Sequence, residues 1–275
     1  MNAIHVNWTG PFGEGEYCIE DFEILTTVLS ALEWRKYNGN IKLIADKRAI
    51  DFYKKIGIDC IWDSVEELYV DGCINPKTFW AAGKLFALQK EKAPVAIIDT
   101  DFIVWKKIDL DRIDDCAVIH FEDLYPDVYP VKDFFQMKDG YNWENYNWKL
   151  QATNTAFAIL KNEELLRRYT QSAIEFMKSA KETDDYLCYM VFCEQRLLHM
   201  VAHSMNIKIT QLMECDELFE PKNQTYTHIW GMKQQMRDFD ELRADFCKKC
   251  VRRIIADFPQ MESIIKNIEI LKKYF

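Results

Sequence analysis

The sequence of 275 residues lacks several features that would assign a chain to a class at once. It has no excess of positive charge: 35 Lys and Arg against 44 Asp and Glu give a formal net charge of −9, which disfavours a nucleic-acid partner. No apolar run is long enough to cross a bilayer, and the N-terminal stretch "MNAIHVNW" is typical of a strand rather than of a signal peptide. No internal repeat, low-complexity tract or clear linker divides the chain. We therefore expect one globular domain over residues 1–275.

The sequence contains cysteines but no complete metal motif built from them. Cys247 and Cys250 form a C-x-x-C pair, yet a structural zinc site needs a second pair of ligands with compatible spacing, and the sequence has none. Nine cysteines in a chain without an export signal favour free thiols in a reducing compartment. The expected location is the cytoplasm, with peripheral contact at the inner face of the membrane as a further alternative.

Strand-like and helix-like segments alternate through the first hundred residues. The predicted strands cover residues 3–8, 41–45, 59–62, 94–99, 116–121, 151–160, 207–212 and 225–230. The predicted helices cover residues 19–37, 47–57, 79–92, a segment after Asn162, 184–204 and the chain from about Gln235, with Asp46 and Asn162 placed to cap two of them. This alternation predicts an α/β fold with a mainly parallel central sheet and C-terminal helices.

Glycine-rich phosphate-binding motifs are also missing. The loop "TGPFGEGE" after the first predicted strand does not have the spacing of a dinucleotide or P-loop fingerprint. Instead, Asp99 ends the apolar predicted strand "PVAIID" and Asp101 follows it. This is the carboxyl end of the strand, where parallel sheets bind their ligands. Buried carboxylates need a cationic partner, because an unpaired buried charge costs several kcal/mol. Two carboxylates this close together favour Mg²⁺ or Mn²⁺ bridging to a diphosphate.

Four further segments carry candidate functional residues, one before the aspartate pair and three after it. They are "WAAGKLFAL" with Lys84, "NTAFAIL" with Asn154, "EQRLL" with Glu194 and Gln195, and "HIWGMK" with His228, Gly231 and Lys233. Over residues 75–235 the chain resembles the nucleotide-sugar-dependent glycosyltransferases of the GT-A fold. The pattern is most similar to the retaining, family 8-like group that includes glycogenin and the bacterial lipopolysaccharide glucosyl- and galactosyltransferases.

The resemblance implies a single Rossmann-like GT-A domain, a UDP-sugar donor, and a glycan or lipid-linked saccharide as acceptor. It implies Mn²⁺ or Mg²⁺ held by Asp99, Asp101 and His228. The donor-binding residues that it implies are Trp8, Lys84, Asp99, Asp101, Asn154, Gly231 and Lys233, and the catalytic ones are Lys84, Glu194 and Gln195. Residues 1–123 would hold the nucleotide, residues 124–234 would hold the donor sugar and the acceptor, and residues 235–275 would form a helical segment.

The chain departs from this pattern in places, and two alternatives stay open. Asn-Thr-Ala replaces Asn-x-Gly, Glu194 stands where the family usually has Asp, and the spacing from His228 to Lys233 is one residue shorter. A non-catalytic nucleotide-sugar-binding module could have kept the fold and lost turnover. The segment "IIDTDFIV" also resembles the first motif of haloacid-dehalogenase-type phosphatases, although their later acidic metal motif is missing.

Two other stretches each have two interpretations. Residues 124–148 are rich in Tyr and Trp, and are predicted either to form the acceptor side of a cleft, with Trp143 and Tyr146 stacking on sugar rings, or to cover the core. From Arg243 onward, basic and apolar residues recur at helical spacing. That segment either packs against the domain or docks on an anionic membrane surface.

Overall fold

The computed structural model describes residues 1–220 and 222–275. Its strands are β1 (Asn2–Asn7), β2 (Ile41–Ala45), β3 (Ser64–Glu67), β4 (Val95–Ile98), β5 (Phe102–Val104), β6 (Cys116–Val118), β7 (Phe121–Glu122), β8 (Ala152–Thr153), β9 (Phe157–Leu160), β10 (Ile209–Gln211) and β11 (Tyr226–His228). Its α-helices are α1 (Asp21–Tyr37), α2 (Lys47–Lys55), α3 (Ala82–Lys90), α4 (Glu163–Ser179), α5 (Cys188–Val191), α6 (Leu197–Ser204), α7 (Cys215–Leu218), α8 (Lys233–Asp238), α9 (Asp240–Asp257) and α10 (Glu262–Asn267).

A mainly parallel sheet forms the centre of the molecule. Within the described residues it has seven strands in the order β10-β6-β9-β4-β1-β2-β3. Strand β9 runs antiparallel to both β4 and β6, and the other neighbouring strands are parallel. Two small antiparallel pairs, β5 with β11 and β7 with β8, lie outside this sheet. The predicted α/β class with a mainly parallel central sheet and C-terminal helices is confirmed.

The central strands are buried on both faces, so successive residues enter two different cores. In β4, Ala96 and Ile98 join the core that also contains residues of α1 and α9, whereas Val95 and Ile97 join the core formed with α3, α4 and α6. All four side chains are buried, which explains the uninterrupted apolar run in the sequence. The chain therefore forms three layers, with helices on each side of the sheet.

Local hydrogen bonds set the beginnings of three helices. The carboxylate of Asp46 accepts from the backbone N–H of Ala49 at 3.0 Å, and the amide oxygen of Asn162 accepts from that of Leu165 at 3.0 Å. Both helix caps are as predicted. At α1 a capping box forms between Glu20 and Glu23. That last arrangement was not predicted, since Glu is not one of the usual capping residues.

Four predicted strands differ from the observed ones. The predicted strand 116–121 is split between β6, in the central sheet, and the start of β7, which pairs with β8 outside it. Residues 59–62 are not a strand: Asp59–Ile61 is a 3₁₀ turn, whose apolar Ile61 is buried, and the strand follows as β3. The predicted strand 151–160 is split into β8 and β9, because the side chain of Asn154 accepts from the N–H of Ala156 and turns the backbone. The predicted strand 225–230 is shortened to β11 and pairs with β5 rather than with the central sheet.

Candidate active site

A cleft of about 790 Å³ opens beyond the carboxyl ends of β1 and β4. Asn7 and Trp8 border it at the end of β1, and Asp99 and Asp101 border it at the end of β4. Residues from the second half of the chain, Glu194 among them, also line the cleft. A ligand site at this edge of the sheet is the placement that parallel strands favour.

Asp99, Asp101 and His228 form a cluster in this cleft. Each offers one ligand atom, and these atoms lie within 4.8 Å of one another. The pairing of β5 with β11 brings the imidazole in, because His228 lies opposite Phe102 and the N–H of Ile229 donates to the carbonyl of Asp101. The predicted metal-ligand set is thus brought together by an antiparallel pairing of two strands, β5 and β11, that lie far apart in the sequence.

The chemistry of these three donors fits a divalent cation. Burial lowers the pKa of His228 to about 4, so its imidazole is neutral near pH 7 and keeps a lone pair for a metal. Carboxylate oxygens and a neutral imidazole nitrogen are both ligand types that bind divalent cations in proteins. The cluster Asp99–Asp101–His228 could therefore hold such an ion.

Two lysines flank the aspartates. The Nζ atom of Lys84 lies 2.6 Å from Oδ1 of Asp99, and the Nζ atom of Lys233 lies 3.0 Å from Oδ2 of Asp101. Burial lowers the pKa of Lys84, but Asp99 and Glu194 outweigh burial and hold it above the usual value. Burial together with the neighbouring carboxylates raises the pKa of Asp99 to about 7 despite Lys84. Burial also acts to raise the pKa of Asp101, but its neighbours, Lys233 foremost, together outweigh burial and keep that pKa below its usual value.

Glu194 is a buried carboxylate at the back of the cleft. Its Oε1 atom accepts from Nζ of Lys84 at 2.6 Å and from the hydroxyl of Thr155 at 2.9 Å. Its Oε2 atom is buried and has no hydrogen-bond partner in the part of the chain that the structure describes. Glu194 lies in a π-helical turn, Phe192–Arg196, within a helical segment that runs from Cys188 to Ser204.

Gln195 follows on the same π-helical turn and also lines the cleft. The hydroxyl of Tyr129 donates to its Oε1 atom at 2.5 Å. Because this acceptor is already engaged, the amide nitrogen of Gln195 is the polar atom left for a ligand. Tyr129 was missed as a candidate residue, and its position in the aromatic stretch 124–148 is the signal that could have found it.

Asn154 reaches the cleft, but its side chain serves the protein. Its Nδ2 atom donates to Oε1 of Glu122 at 2.7 Å, and its Oδ1 atom accepts from the N–H of Ala156 at 3.0 Å. This is the turn-holding role that an Asn commonly has between two strands. Glu122, on the other hand, lines the cleft and was not predicted, because a single Glu after a short strand has no distinguishing pattern.

Trp8 and Gly231 were both predicted to bind the donor, and the structure places them differently relative to the cleft. Trp8 lines the cleft and packs over Gly83 at the start of α3, where an added Cβ would lie 2.7 Å from the Cβ of Trp8. Glycine at this position therefore lets the tryptophan approach the helix. Gly231 lies in the 3₁₀ turn Trp230–Met232 and is not among the described residues that line the cleft, although its neighbours Trp230 and Lys233 are.

A family model described as a family of unknown function, DUF6734, matches residues 11–268 of this chain. The chain belongs to that family. No curated protein matches the sequence. Among solved structures, 175 chains match. One of them, the apo crystal structure of mouse xyloside xylosyltransferase 1, is similar to this DUF6734 chain with a TM-score of 0.40 and 9% sequence identity, over 77% of this chain and 85% of that one.

The aromatic stretch of this DUF6734 chain has two parts with different roles. Tyr125 and Tyr129 line the cleft. Trp143 and Tyr146 instead pack in the core between the sheet and α4, where the ring of Trp143 lies 5.9 Å from that of Phe176. Sugar stacking by Trp143 and Tyr146 is therefore the wrong interpretation, and the alternative of a cover over the core holds for them.

The C-terminal helices pack against the domain. In α9 the apolar residues Cys247, Val251 and Ile254 are buried, and both cysteines of the C-x-x-C pair lie in the core as free thiols. Lys248 and Arg252 face outward. Among the described residues, none of the helices combines the length and the apolar character that a membrane crossing requires.

Proposed function

We propose that this protein is a metal-dependent glycosyltransferase that moves a sugar from a UDP-sugar donor to a glycan or lipid-linked acceptor. The observation that supports this most directly is the cluster Asp99–Asp101–His228, on the floor of a large cleft and flanked by Lys84 and Lys233. Few other reactions need two carboxylates, a neutral imidazole and two lysines around one point. A nucleoside diphosphate bridged to a divalent ion accounts for all five groups.

Each part of the chain has its own role in this proposal. Residues 1–123 bind the nucleotide, residues 124–234 bind the donor sugar and the acceptor, and residues 235–275 support the domain. Asp99, Asp101 and His228 would hold Mn²⁺ or Mg²⁺, and the ion would neutralise charge on the diphosphate. Membrane contact by the C-terminal segment stays a prediction, and its exposed basic residues would make that contact electrostatic, because its apolar side is buried.

In the proposed reaction the bond between the anomeric carbon and the β-phosphate oxygen breaks, and a bond from that carbon to the acceptor oxygen forms. The acceptor attacks from the face that the phosphate leaves, and its proton passes to the departing phosphate oxygen. A hexosyl group is therefore transferred with retention of configuration. Lys84 and Lys233 stabilise the negative charge that develops on the diphosphate. Gln195 would orient the sugar through the amide nitrogen described above, and Glu194 would act through Lys84, whose ammonium group it holds.

The test is calorimetric titration of UDP, GDP, ADP and CDP into the protein with Mn²⁺ and with EDTA. We expect UDP to bind with Mn²⁺ and to lose its affinity in EDTA. Asp101→Asn should abolish the metal-dependent part, and Asp114→Asn is the matched control, because Asp114 is an exposed aspartate. UDP affinity that is unchanged by EDTA would contradict the metal assignment.

A second measurement separates the enzyme from its alternatives. Slow release of sugar from a UDP-sugar in the absence of acceptor is expected of a transferase, because water can replace the acceptor. Metal-dependent UDP binding without any such hydrolysis would identify a non-catalytic binding module. Hydrolysis of phosphomonoesters without UDP binding would identify a phosphatase of the haloacid-dehalogenase type.

A further inference from the structure

Several side chains that line the cleft are aromatic and exposed to solvent. Among the described residues that line it, the large exposed hydrophobic ones are all aromatic; we call them the aromatic rim, and they are Phe12 (60% exposed), Trp80 (42%), Tyr125 (63%), Phe219 (52%) and Trp230 (71%). They come from five separate segments of the chain. Exposed aromatic rings gathered at one opening usually mark a binding surface, since scattered single ones need no explanation.

Three rim residues are joined by short segments to polar residues inside the cleft. Trp80 precedes Lys84 by four residues, and its indole N–H donates to the carbonyl of Tyr186 at 2.9 Å, which anchors the ring. The carbonyl of Tyr125 accepts from the N–H of Tyr129 at 2.7 Å. Trp80 and Tyr125 are therefore close in sequence to Lys84 and Tyr129, and all four residues line the same cleft.

Trp230 is in the same relation to the candidate metal cluster. It follows His228 by two residues, and its carbonyl accepts from the N–H of Lys233. A molecule that contacts Trp230 thus sits beside both the proposed metal ligand and the proposed leaving-group lysine. The rim is continuous with the reacting centre rather than a separate patch.

The charge of the cleft limits which molecule can occupy it. Its lining carboxylates are Glu20, Glu23, Asp99, Asp101, Glu122 and Glu194, and its lining cations are Lys84, Lys233 and Arg237. Three positive and six negative charges give 3 − 6 = −3. The donor diphosphate would engage the divalent ion and the two lysines, and Arg237 is already paired with Glu20 at 2.5 Å. A second phosphate-bearing molecule would therefore find no unpaired cation among the described residues that line the cleft, whereas an uncharged molecule needs none.

We propose that the aromatic rim is the acceptor-binding surface, and that the acceptor is an uncharged saccharide rather than a phosphate-linked lipid; this inference rests on the proposed function. The apolar faces of pyranose rings stack on Trp and Tyr, which lose little conformational entropy on binding. The partly exposed carboxylate of Glu122, inside the rim, accepts hydrogen bonds from sugar hydroxyls.

The test uses an array of neutral oligosaccharides, probed with the protein in Mn²⁺ and UDP, and vesicles containing anionic phospholipid in parallel. We expect the wild-type protein to bind neutral oligosaccharides. Trp230→Ala and Tyr125→Ala should each weaken that binding by about tenfold, the typical value of one aromatic contact. Tyr69→Ala is the matched control, because Tyr69 is 68% exposed and is not among the described residues that line the cleft.

Calorimetric binding of UDP with Mn²⁺ is measured on the same variants. Unchanged UDP binding with weakened saccharide binding supports the proposal. Binding to the vesicles alone, absence of binding to any neutral saccharide, or equal saccharide binding by Trp230→Ala and the wild-type protein would overturn it. These results are distinguishable from failure of the proposed function, in which UDP itself does not bind in a metal-dependent way.

Discussion

Replacing Glu33 by Gln should stabilise the protein above neutral pH. Glu33 lies in α1 with no solvent exposure, and neither carboxylate oxygen has a hydrogen-bond donor among the described residues. The nearest cations are Nζ of Lys36 at 3.8 Å and Nε of Arg253 at 3.9 Å. Burial, and secondarily the facing carboxylate of Asp257, raise the pKa of Glu33 from 4.5 to about 7.

The size and sign of the effect follow from that shift. The pKa of Glu33 is raised from 4.5 to about 7, which corresponds to about 3 kcal/mol. Ionised Glu33 therefore lowers the free energy of unfolding by up to about that amount. The folded state binds its proton more tightly than the unfolded state does. Below pH 4.5 Glu33 is protonated in both states, so it does not lower the stability. The stability falls as the pH rises from 4.5, and the loss is complete above about pH 7, where Glu33 is ionised in both states. Gln cannot ionise, but its own buried amide loses hydrogen bonds, so we expect a net gain of about 2 kcal/mol at pH 8.

The assay is urea unfolding of the wild-type protein and Glu33→Gln at pH 5 and pH 8. The variant should be clearly more stable than the wild type at pH 8, and should lose most of that advantage at pH 5, where Glu33 is protonated in the folded protein. Glu262→Gln is the control at an exposed position, and should show no such difference. A difference between variant and wild type that is the same at both pH values would refute the argument.

Two other predictions concern the lysines and the aromatic core. Lys84→Ala and Lys233→Ala should each lower turnover in a UDP-sugar hydrolysis assay by about 10²–10³, and near-normal turnover in both would exclude their leaving-group role. Lys84→Ala should in addition lower the melting temperature, because Asp99 and Glu194 would lose their shared cation. Tyr146→Ala should destabilise the protein by about 3 kcal/mol in chemical unfolding and leave the binding of neutral oligosaccharides unchanged; weakened oligosaccharide binding without loss of stability would return Tyr146 to the acceptor site.

The sequence predicts well those site residues that lie at the end of a strongly patterned element. The apolar run before Asp99 identifies a buried strand, and the alternation of strands and helices identifies its carboxyl end, so the placement of the aspartates follows from local pattern and topology alone. His228 has no such local signal. Its place beside Asp101 depends on β11 pairing with β5, and only the order of motifs in the resembling family indicated it.

What the sequence does not predict depends on contacts between distant segments. Glu122 is recognisable only once Asn154 donates to it, across 32 residues of chain. Trp143 and Tyr125 occur in one aromatic stretch of similar composition, yet one packs in the core and the other stands at the cleft mouth. Composition cannot separate them, because aromatic residues serve both cores and binding surfaces.

The π-helical turn at Glu194 and Gln195 shows how the fold maintains an irregular site. Both side chains of this turn line the same cleft. A π-helical turn shifts the backbone bonding pattern, so carbonyl groups need other donors. The hydroxyl of Tyr169, in α4, donates to the carbonyl of Glu194, and the hydroxyl of Thr153, in β8, donates to that of Gln195 at 2.6 Å. Because two separate elements satisfy these carbonyls, the widened turn is stabilised by tertiary structure, and the pair that it presents could not have been placed from the helix sequence alone.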